Sequence, residues 1–199
     1  MPQLVIATGN PGKVTEFRDL LRDSGWDVIA PSDIGVSVEV EETGATYAEN
    51  ARLKAQAFCQ ASGLPAIADD SGLEVDALNR DPGVLHHLNG WDGNNNDQRL
   101  QILLDAMKDV PEGKRTGQFF SVIVVVMPDG RVIEEQGVID GTITFAPAGF
   151  NGWGYDPLFL LPERGVTLAQ LSDEEKNRVS HRAIAFHKVR QQLRELAGV

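Results

Sequence analysis

The fold is decided near the start of the chain, by the stretch Leu4-Val5-Ile6-Ala7-Thr8-Gly9-Asn10-Pro11-Gly12-Lys13. Its apolar first part predicts a buried strand, and the amphipathic stretch from Val14 to Leu21 predicts a helix. A strand that turns through glycines into a helix leaves free backbone N–H groups at the helix N-terminus, here with Lys13 beside them. Such a turn is either a phosphate site or an ordinary strand-to-helix loop.

The turn is not a P-loop. A P-loop places four residues between its glycines and follows its lysine with Ser or Thr, whereas only Asn10 and Pro11 separate Gly9 from Gly12 here, and Val14 follows. Because no hydroxyl stands ready for magnesium, any metal must be held by carboxylates elsewhere in the chain.

Composition restricts the class of protein. The chain has 199 residues, of which 42% are hydrophobic and 24% charged, and its formal net charge is −11. These values predict one globular domain over residues 1–199. The negative charge argues against nucleic acid and anionic membranes as partners. No apolar run approaches the length of a membrane span.

The N-terminus and the cysteine content predict a cytoplasmic protein. No basic segment precedes an apolar core at the N-terminus, so a signal peptide is not expected. Cys59 is the single cysteine and has no partner for an internal disulfide, which fits a reducing compartment. Because it lies in an alanine-rich helical stretch without a neighbouring histidine, we interpret Cys59 as a core residue rather than a nucleophile.

The order of the predicted elements indicates a mixed α/β protein. The second predicted helix has the clearest ends. Thr46 and Glu49 form a capping box at its start, and Gly63 is the residue type that commonly follows the last turn of a helix. Helices are predicted at about Lys13–Ser24, Thr46–Ser62 and Asp97–Asp109, and from about Ser180. Strands are predicted up to Ala7 and at Trp26–Ala30, Pro65–Ala68, Phe119–Met127, Arg131–Ile139 and Leu158–Leu161. In the last helix, one apolar stripe is expected to face the core: Phe186, Val189, Leu193 and Leu196.

Two acidic clusters are candidate metal ligands. Glu39-Val40-Glu41-Glu42 precedes the capped helix, and Asp69-Asp70 is expected to end an apolar strand. Magnesium usually takes one or two carboxylates together with phosphates and water. The alternatives are a solvated loop for the glutamates and turn or cap roles for the aspartates.

A further cluster is divided between two segments. Gly152-Trp153-Gly154-Tyr155-Asp156-Pro157 offers an aromatic side chain between glycines, which is either folded inward or a platform for a flat base. Lys176 and Ser180-His181-Arg182 follow, where His181 and Arg182 are either base readers or a satisfied surface pair. A phosphate turn, carboxylates, an aromatic platform and polar readers together describe a nucleotide site.

These motifs give the chain a resemblance to a known family. It resembles the non-canonical purine nucleoside triphosphate pyrophosphatases, also called inosine or xanthosine triphosphate pyrophosphatases, nearly end to end. The motifs that carry the resemblance are Ala7-Thr8-Gly9-Asn10 with Lys13, Glu41-Glu42-Thr43-Gly44 with Glu49-Asn50 and Lys54, Ala68 to Leu73, Gly154 to Pro157, and Ser180-His181-Arg182. The resemblance implies a long twisted mixed sheet with two α/β lobes flanking a central cleft, and a homodimer.

The resemblance also implies roles for individual residues. Mg²⁺ would be held by Glu41 and Asp70, and Asp70 would accept a proton from the attacking water. Ser71 and Lys176 would contact substrate, and Lys54 with Lys13 would spread the developing negative charge. The phosphates and sugar would contact Thr8, Gly9, Asn10, Pro11, Gly12 and Lys13. The base would be bordered by Trp153, Gly154, Tyr155 and Asp156 and read by His181 and Arg182.

The chain departs from the family pattern in two places. Trp153 stands where the family commonly has Phe, which keeps a stacking face. More serious is the segment Pro82–Gly90, where bacterial relatives commonly continue after Pro-Gly with Tyr-Ser-Ala-Arg-Tyr. That segment has lost its arginine and gained His86 and His87, which puts its role in substrate choice or dimer contact in doubt. We interpret the two histidines as a loop pair without metal.

The implied reaction is Mg²⁺-dependent hydrolysis of inosine, deoxyinosine and xanthosine triphosphates to the monophosphate and pyrophosphate. It would remove deaminated purines from the nucleotide pool. Two other functions are compatible with the residues: a purine nucleotide-binding regulator without turnover, and a generic phosphatase that releases orthophosphate. Guanine also carries a 6-oxo group, so its rejection would depend on the 2-position.

Overall fold

The computed structural model describes the backbone of residues 1–199 and every side chain except that of Pro11. The predicted substrate contact of Pro11 therefore lies outside the described side chains. The strands are β1 (Gln3–Ile6), β2 (Asp27–Ile29), β3 (Ala66–Val75), β4 (Thr116–Val126), β5 (Val132–Ile143), β6 (Phe159–Leu161) and β7 (Val166–Thr167). The helices are α1 (Pro11–Leu20), α2 (Tyr47–Ser62), α3 (Asn96–Ala106), α4 (Asp173–Val179) and α5 (His181–Ala197).

The strands form one mixed sheet in the order β2-β1-β3-β4-β5-β6-β7. Strand β1 runs parallel to both of its neighbours, with Val5 opposite Ile29 in β2 and Ala66 in β3. Strands β5, β6 and β7 pair antiparallel. The side chains of Leu4, Val5 and Ile6 are fully buried, as expected for a strand covered on both faces. The predicted mixed α/β sheet is confirmed.

The chain divides into two compact units. The first contains Met1–Asp70, Ser121–Gly137 and Arg182–Val199. Its core joins β1, α1 and α5, and the rings of Phe17 and Phe186 meet edge to face with centroids 4.6 Å apart. Burial of such apolar area is the main favourable contribution to folding.

The second unit contains Ser71–Phe120 and Val138–His181. Leu100 and Leu103 of α3 lie in its core, and the rings of Phe119 and Phe159 lie 4.6 Å apart. These contacts fix α3 firmly within the unit.

Helix α2 has the ends that the sequence predicts. Thr46 accepts from the backbone of Glu49, and Glu49 accepts from the backbone of Thr46, which completes the capping box. Gly63 ends the helix with a φ of 70°, a left-handed conformation that favours glycine. Cys59 is buried in this helix, which confirms its interpretation as a core residue.

Strand β3 differs most from the prediction. It does not end at Asp69 and Asp70 but continues through both to Val75. The prediction that the carboxylates follow a strand end was therefore wrong, as was the alternative of turn and cap residues. Two adjacent aspartates predict the end of a buried strand. Here the strand continues because Lys13, Lys54 and Arg182, from distant segments of the chain, compensate the charges of these aspartates.

Other predicted boundaries were wrong by a few residues. Helix α1 ends at Leu20 rather than Ser24, because Asp23 and Gly25 follow with positive φ angles of 62° and 83°. Helix α3 ends at Ala106, before the expected stop at Pro111. In α5 the apolar stripe is buried except for Leu196, which is 43% exposed in the last turn. Among the described residues, no helix combines the length and apolar character needed to cross a bilayer.

Candidate functional site

A network of charged side chains lies around Asp69 in the first unit. The side chain of Asp69 is 2% exposed, and Lys13 Nζ lies 2.8 Å from its Oδ1. On the other side, Arg182 Nε donates to Asp69 Oδ2 at 3.1 Å, and Arg182 Nη1 donates to Glu16 at 3.0 Å. Burial raises the pKa of Asp69, but Lys13, Arg182 and Lys54 lower it far more, so this carboxylate stays ionised. Asp69 is therefore a fixed negative charge and not a proton acceptor.

Asp70, the next residue, has the opposite electrostatic character. Lys54 Nζ lies 3.3 Å from Asp70 Oδ1 and 3.0 Å from Glu42 Oε2. Burial raises the pKa of Asp70 to about 6; Lys54 opposes the rise, whereas Glu42 and Asp69 add to it. A carboxylate with a pKa near the working pH is suited to act as a general base.

Lys54 remains charged at this position. Burial lowers its pKa, but the attraction of Asp70, Asp69 and Glu42 outweighs burial and raises the pKa above the ordinary value. An ammonium group among carboxylates can attract phosphate and offset charge that develops on it.

The predicted metal ligands occupy two environments. Asp70 is buried, whereas Glu41 is exposed in the segment before α2. Its neighbour Glu42 makes the ion pair with Lys54. Among the described side chains, no three carboxylate, histidine or cysteine groups form a ready metal cage. Magnesium does not require one, since phosphates and water complete its shell.

Asn50 connects the acidic segment to Asp70. Its side chain is fully buried, and its Oδ1 accepts from the backbone of Gly44 at 2.8 Å. The Asn50 amide also lowers the pKa of Asp70 by hydrogen bonding, although no strict hydrogen-bond geometry is met at Nδ2. The motif Glu49-Asn50 marked this residue in the sequence, but no role was predicted for it.

The turn before α1 differs in detail from the prediction. Asn10 is the N-cap of α1, and its Oδ1 accepts from the backbone of Gly12 at 2.9 Å and of Lys13 at 3.4 Å. The expectation of free N–H groups at these two positions was wrong, because the asparagine side chain already binds them. A phosphate that uses them must displace this cap.

A cavity of about 190 Å³ brings several predicted residues together within the first unit. Its walls include Thr8, Gly9, Lys13, Lys54 and Asp69. Two lysines in one small polar cavity form a suitable place for an anion. The motifs assigned no individual role to Asp69, which lines this cavity, or to Glu16, which contacts Arg182. The only signal for Glu16 in the sequence is that it lies three residues after Lys13, on the same helix face.

The second unit holds the loop Trp153–Asp156, which we call the base loop. Lys176 Nζ lies 2.6 Å from Asp156 Oδ2, so two predicted contacts form an ion pair with each other. Gly154 N donates to Asn96 Oδ1 at 2.9 Å, and Tyr155 Oη donates to the backbone of Trp91 at 3.2 Å. The Trp153 side chain is 47% exposed, so the alternative of a ring folded inward is wrong.

The predicted readers, His181 and Arg182, are the first two residues of α5. His181 is buried in the second unit, where its ring stacks on Phe119 with centroids 4.7 Å apart and an interplanar angle of 10°. Arg182 is buried in the first unit by its contacts to Asp69 and Glu16. The alternative of a surface pair is therefore wrong. Ser71, another predicted contact, is half-buried in β3.

The atypical segment Pro82–Gly90 is a series of turns in the second unit. His86 Nδ1 lies 3.2 Å from the backbone oxygen of Gly83, and His86 Nε2 lies 3.7 Å from Asp92. Arg99 of α3 also contacts Asp92, at 3.0 Å. His86 thus contacts the segment that leads to α3.

Comparisons with known proteins agree with this geometry. Residues 4–192 match the model of the Ham1 family. A dITP/XTP pyrophosphatase of Photorhabdus laumondii is 45% identical over 98% of this chain and 99% of its own length. One from Escherichia coli K12 is 44% identical over 98% and 99% of the two chains.

Solved structures show the same relationship. A HAM1 protein from Coxiella burnetii has a TM-score of 0.88 at 36% identity and covers 98% of this chain and 100% of its own. The Ham1 protein of Staphylococcus aureus has a TM-score of 0.84 at 37% identity, with 96% and 97% covered. The resemblance seen in the motifs is confirmed over the whole chain, which belongs to the Ham1 family.

Proposed function

We propose that this chain hydrolyses purine nucleoside triphosphates with deaminated bases, namely dITP, ITP and XTP, between the α and β phosphates. The products are the nucleoside monophosphate and pyrophosphate. The names of its relatives support this class of substrate, because the chain matches them along nearly their whole length. The observation that carries the proposal is the contact between buried Asp70 and half-buried Lys54, which places a base beside a cation.

In the proposed reaction, Asp70 accepts a proton from water as the water oxygen bonds to phosphorus. The bridging oxygen leaves with pyrophosphate. Lys54 and Lys13 attract the negative charge that develops on the phosphoryl oxygens. Asp69 supports this step without reacting, because its ion pair with Lys13 fixes the ammonium group at the cavity wall.

The donor set fits Mg²⁺. Among the described contacts around Asp69 and Asp70, four carboxylates, Glu16, Glu42, Asp69 and Asp70, pair with three cations, Lys13, Lys54 and Arg182. The excess negative charge, to which exposed Glu41 adds, supports binding of a divalent cation by Asp70 and Glu41. When bound, the ion supplies a Lewis acid for the phosphoryl oxygen.

For the base, the proposal assigns the contact surface to the base loop and the recognition of the 6-oxo oxygen to His181 and Arg182. Exposure of the Trp153 ring supports stacking. Glu16 and Asp69 hold the guanidinium of Arg182 in one orientation, which supports a directional donor role. Adenine would present its 6-amino group, a hydrogen-bond donor, to the N–H donors of Arg182. A buried donor left unpaired in this way costs about 1–3 kcal/mol.

Incubation with ITP and Mg²⁺, with pyrophosphate and orthophosphate measured separately, tests the proposal. We expect one pyrophosphate per inosine monophosphate and much slower turnover of ATP and GTP. Orthophosphate as the main product would identify a phosphatase. Saturable binding of ITP without either product would identify a nucleotide-binding regulator.

We further propose a homodimer in the cytoplasm. The single buried Cys59 supports a reducing compartment, and the family resemblance supports the dimer. Sedimentation equilibrium at several concentrations tests the dimer, because a single species at 21.7 kDa would contradict it.

A further inference from the structure

The base loop is tied to α3 through a side chain that neither the motifs nor the family resemblance assigns to the site. Asn96 is the first residue of α3, and its Oδ1 accepts from Gly154 N at 2.9 Å. Gly154 is buried and has a φ of 67°, so its N–H direction is set by a left-handed backbone. A buried N–H requires a partner, and Asn96 is that partner.

Asn96 can hold the loop because α3 is packed into the core of the second unit. Leu100 and Leu103 on the same helix are buried in the core of the second unit, with exposed fractions of 7% and 0%. The Oδ1 atom of Asn96 therefore stands at a defined point. At the other side of the loop, Asp156 Oδ2 contacts Lys176 and accepts from Trp153 N at 3.4 Å. Trp153 directly precedes Gly154 in this loop, and its side chain is 47% exposed.

We propose that Asn96 is a positioning residue that fixes the base loop in the conformation that discriminates the purine base. This inference rests on the proposed function, since it assigns that loop to the base. Loss of the hydrogen bond leaves Gly154 N–H without its acceptor and lets the loop adopt other conformations. The Trp153 ring is then no longer held against one base geometry, and discrimination falls.

Neighbouring asparagines provide matched controls. Asn94, Asn95 and Asn96 are consecutive, but they differ in what their side chains contact. Asn95 is the N-cap of α3 and accepts from Gln98 N at 2.9 Å. At Asn94 it is the backbone N–H, not the side chain, that binds Gln98. Asn95→Ala thus reports on helix stability alone, and Asn94→Ala reports on neither the helix cap nor the loop.

The first test is made on the protein without substrate. Hydrogen exchange of the Gly154 amide, followed by NMR, should be accelerated at least tenfold in Asn96→Ala. Asn94→Ala should match the wild type, and Asn96→Asp should restore protection because a carboxylate oxygen can still accept. Unchanged exchange in Asn96→Ala would overturn the assignment of this hydrogen bond, whatever the activity of the protein.

The second test measures kcat and KM for ITP and ATP in the same variants. We expect the ratio of kcat/KM for ITP over ATP to fall about tenfold in Asn96→Ala, mainly through a higher KM for ITP, and to recover in Asn96→Asp. A fall of equal size in Asn95→Ala would mean that helix stability, not loop position, controls the ratio, and would overturn the proposal. If the wild type forms no pyrophosphate, the proposed function fails, while the exchange result still decides the role of Asn96 in the loop.

Discussion

Asp69 and Arg182 are 113 positions apart in the chain, yet Arg182 Nε donates to Asp69 Oδ2 at 3.1 Å in the buried part of the first unit. The same aspartate contacts Lys13 through its other oxygen. Because one ionised carboxylate orients both cations, Asp69 links the phosphate turn to the start of α5. The neighbouring Asp70 remains available for chemistry.

Asp70→Asn should lower turnover by about a hundredfold or more and preserve the fold. The amide keeps the shape of the side chain but cannot accept a proton, and general-base catalysis contributes about a hundredfold or more. Pyrophosphate release from ITP at saturating Mg²⁺ measures the loss. Near-normal activity in this variant would refute the role of Asp70.

The same substitution should stabilise the protein at pH 8 in the absence of metal. Asp70 has a pKa of about 6 in the folded protein, which is above its unfolded value of about 3.9. Its charge therefore destabilises the folded state at high pH, and this cost disappears as the pH falls from about 6 to about 4. Urea unfolding should show a gain of a few kcal/mol for Asp70→Asn at pH 8 and little difference at pH 4. A gain in the free energy of unfolding that grows as the pH falls would contradict the raised pKa of Asp70.

Lys13→Ala should lower kcat/KM for ITP by more than a change in KM alone explains. The variant removes a cation from the cavity wall and leaves Asp69 with less compensation. Exposed Arg22 lies just after the C-terminal end of α1 and pairs only with Asp19 among the described contacts, so Arg22→Ala is the control. Equal kinetic effects in both variants, or a change in stability alone, would argue against a phosphate site.

Gly152→Ala should impair ITP hydrolysis more than stability explains. A Cβ at this position would collide with Asp156 Oδ2 and Lys176 Nζ, whose ion pair holds the base loop. Gly130 has the same φ of 89° but no neighbour near a Cβ, so Gly130→Ala carries equal backbone strain without the collision. Thermal melting of both variants, together with KM for ITP, separates strain from collision. An unchanged KM in Gly152→Ala would show that the ion pair tolerates displacement.

Arg182→Ala should narrow the preference for ITP over ATP. Its donors are proposed to recognise a 6-oxo oxygen, so ITP should lose far more activity than the small ATP background. The control is a double variant, His86→Ala with His87→Ala, in the atypical segment. If the double variant collapses the ITP/ATP ratio while Arg182→Ala leaves it unchanged, the base is read by that segment instead. Glu16→Gln measures how much of the effect arises from the orientation of Arg182.

Local elements of the fold were predictable where short-range chemistry determines them. The capping box of Thr46 and Glu49 and the end of α2 at Gly63 lie where the sequence indicates, because hydrogen bonds between residues three or four apart fix them. Element ends were predicted less well. No residue close to Asp70 in the sequence indicates that β3 continues through it, because the charges that stabilise this strand come from Lys13, Lys54 and Arg182.

In the candidate site too, the sequence indicates some residues, whereas others depend on contacts between distant segments. Motif order marked Lys13, Asp70, Lys176 and Arg182 as candidate site residues. The choice of Asp70 over Asp69 came from the family resemblance, because two adjacent carboxylates look alike in a sequence and differ only in their neighbours. Motif order missed Asn96, whose partner Gly154 lies 58 positions away.

The sequence by itself determined the class of fold, the family and the residues that carry charge, since these depend on residue type and spacing. Only the tertiary structure decided which carboxylate is neutralised and which is left to titrate, and which side chain holds the base loop. The physical reason is that a pKa depends on burial and on charges a few ångströms away, and a buried N–H depends on an acceptor at hydrogen-bond distance. Those distances are set by the folding of segments that are remote in the chain.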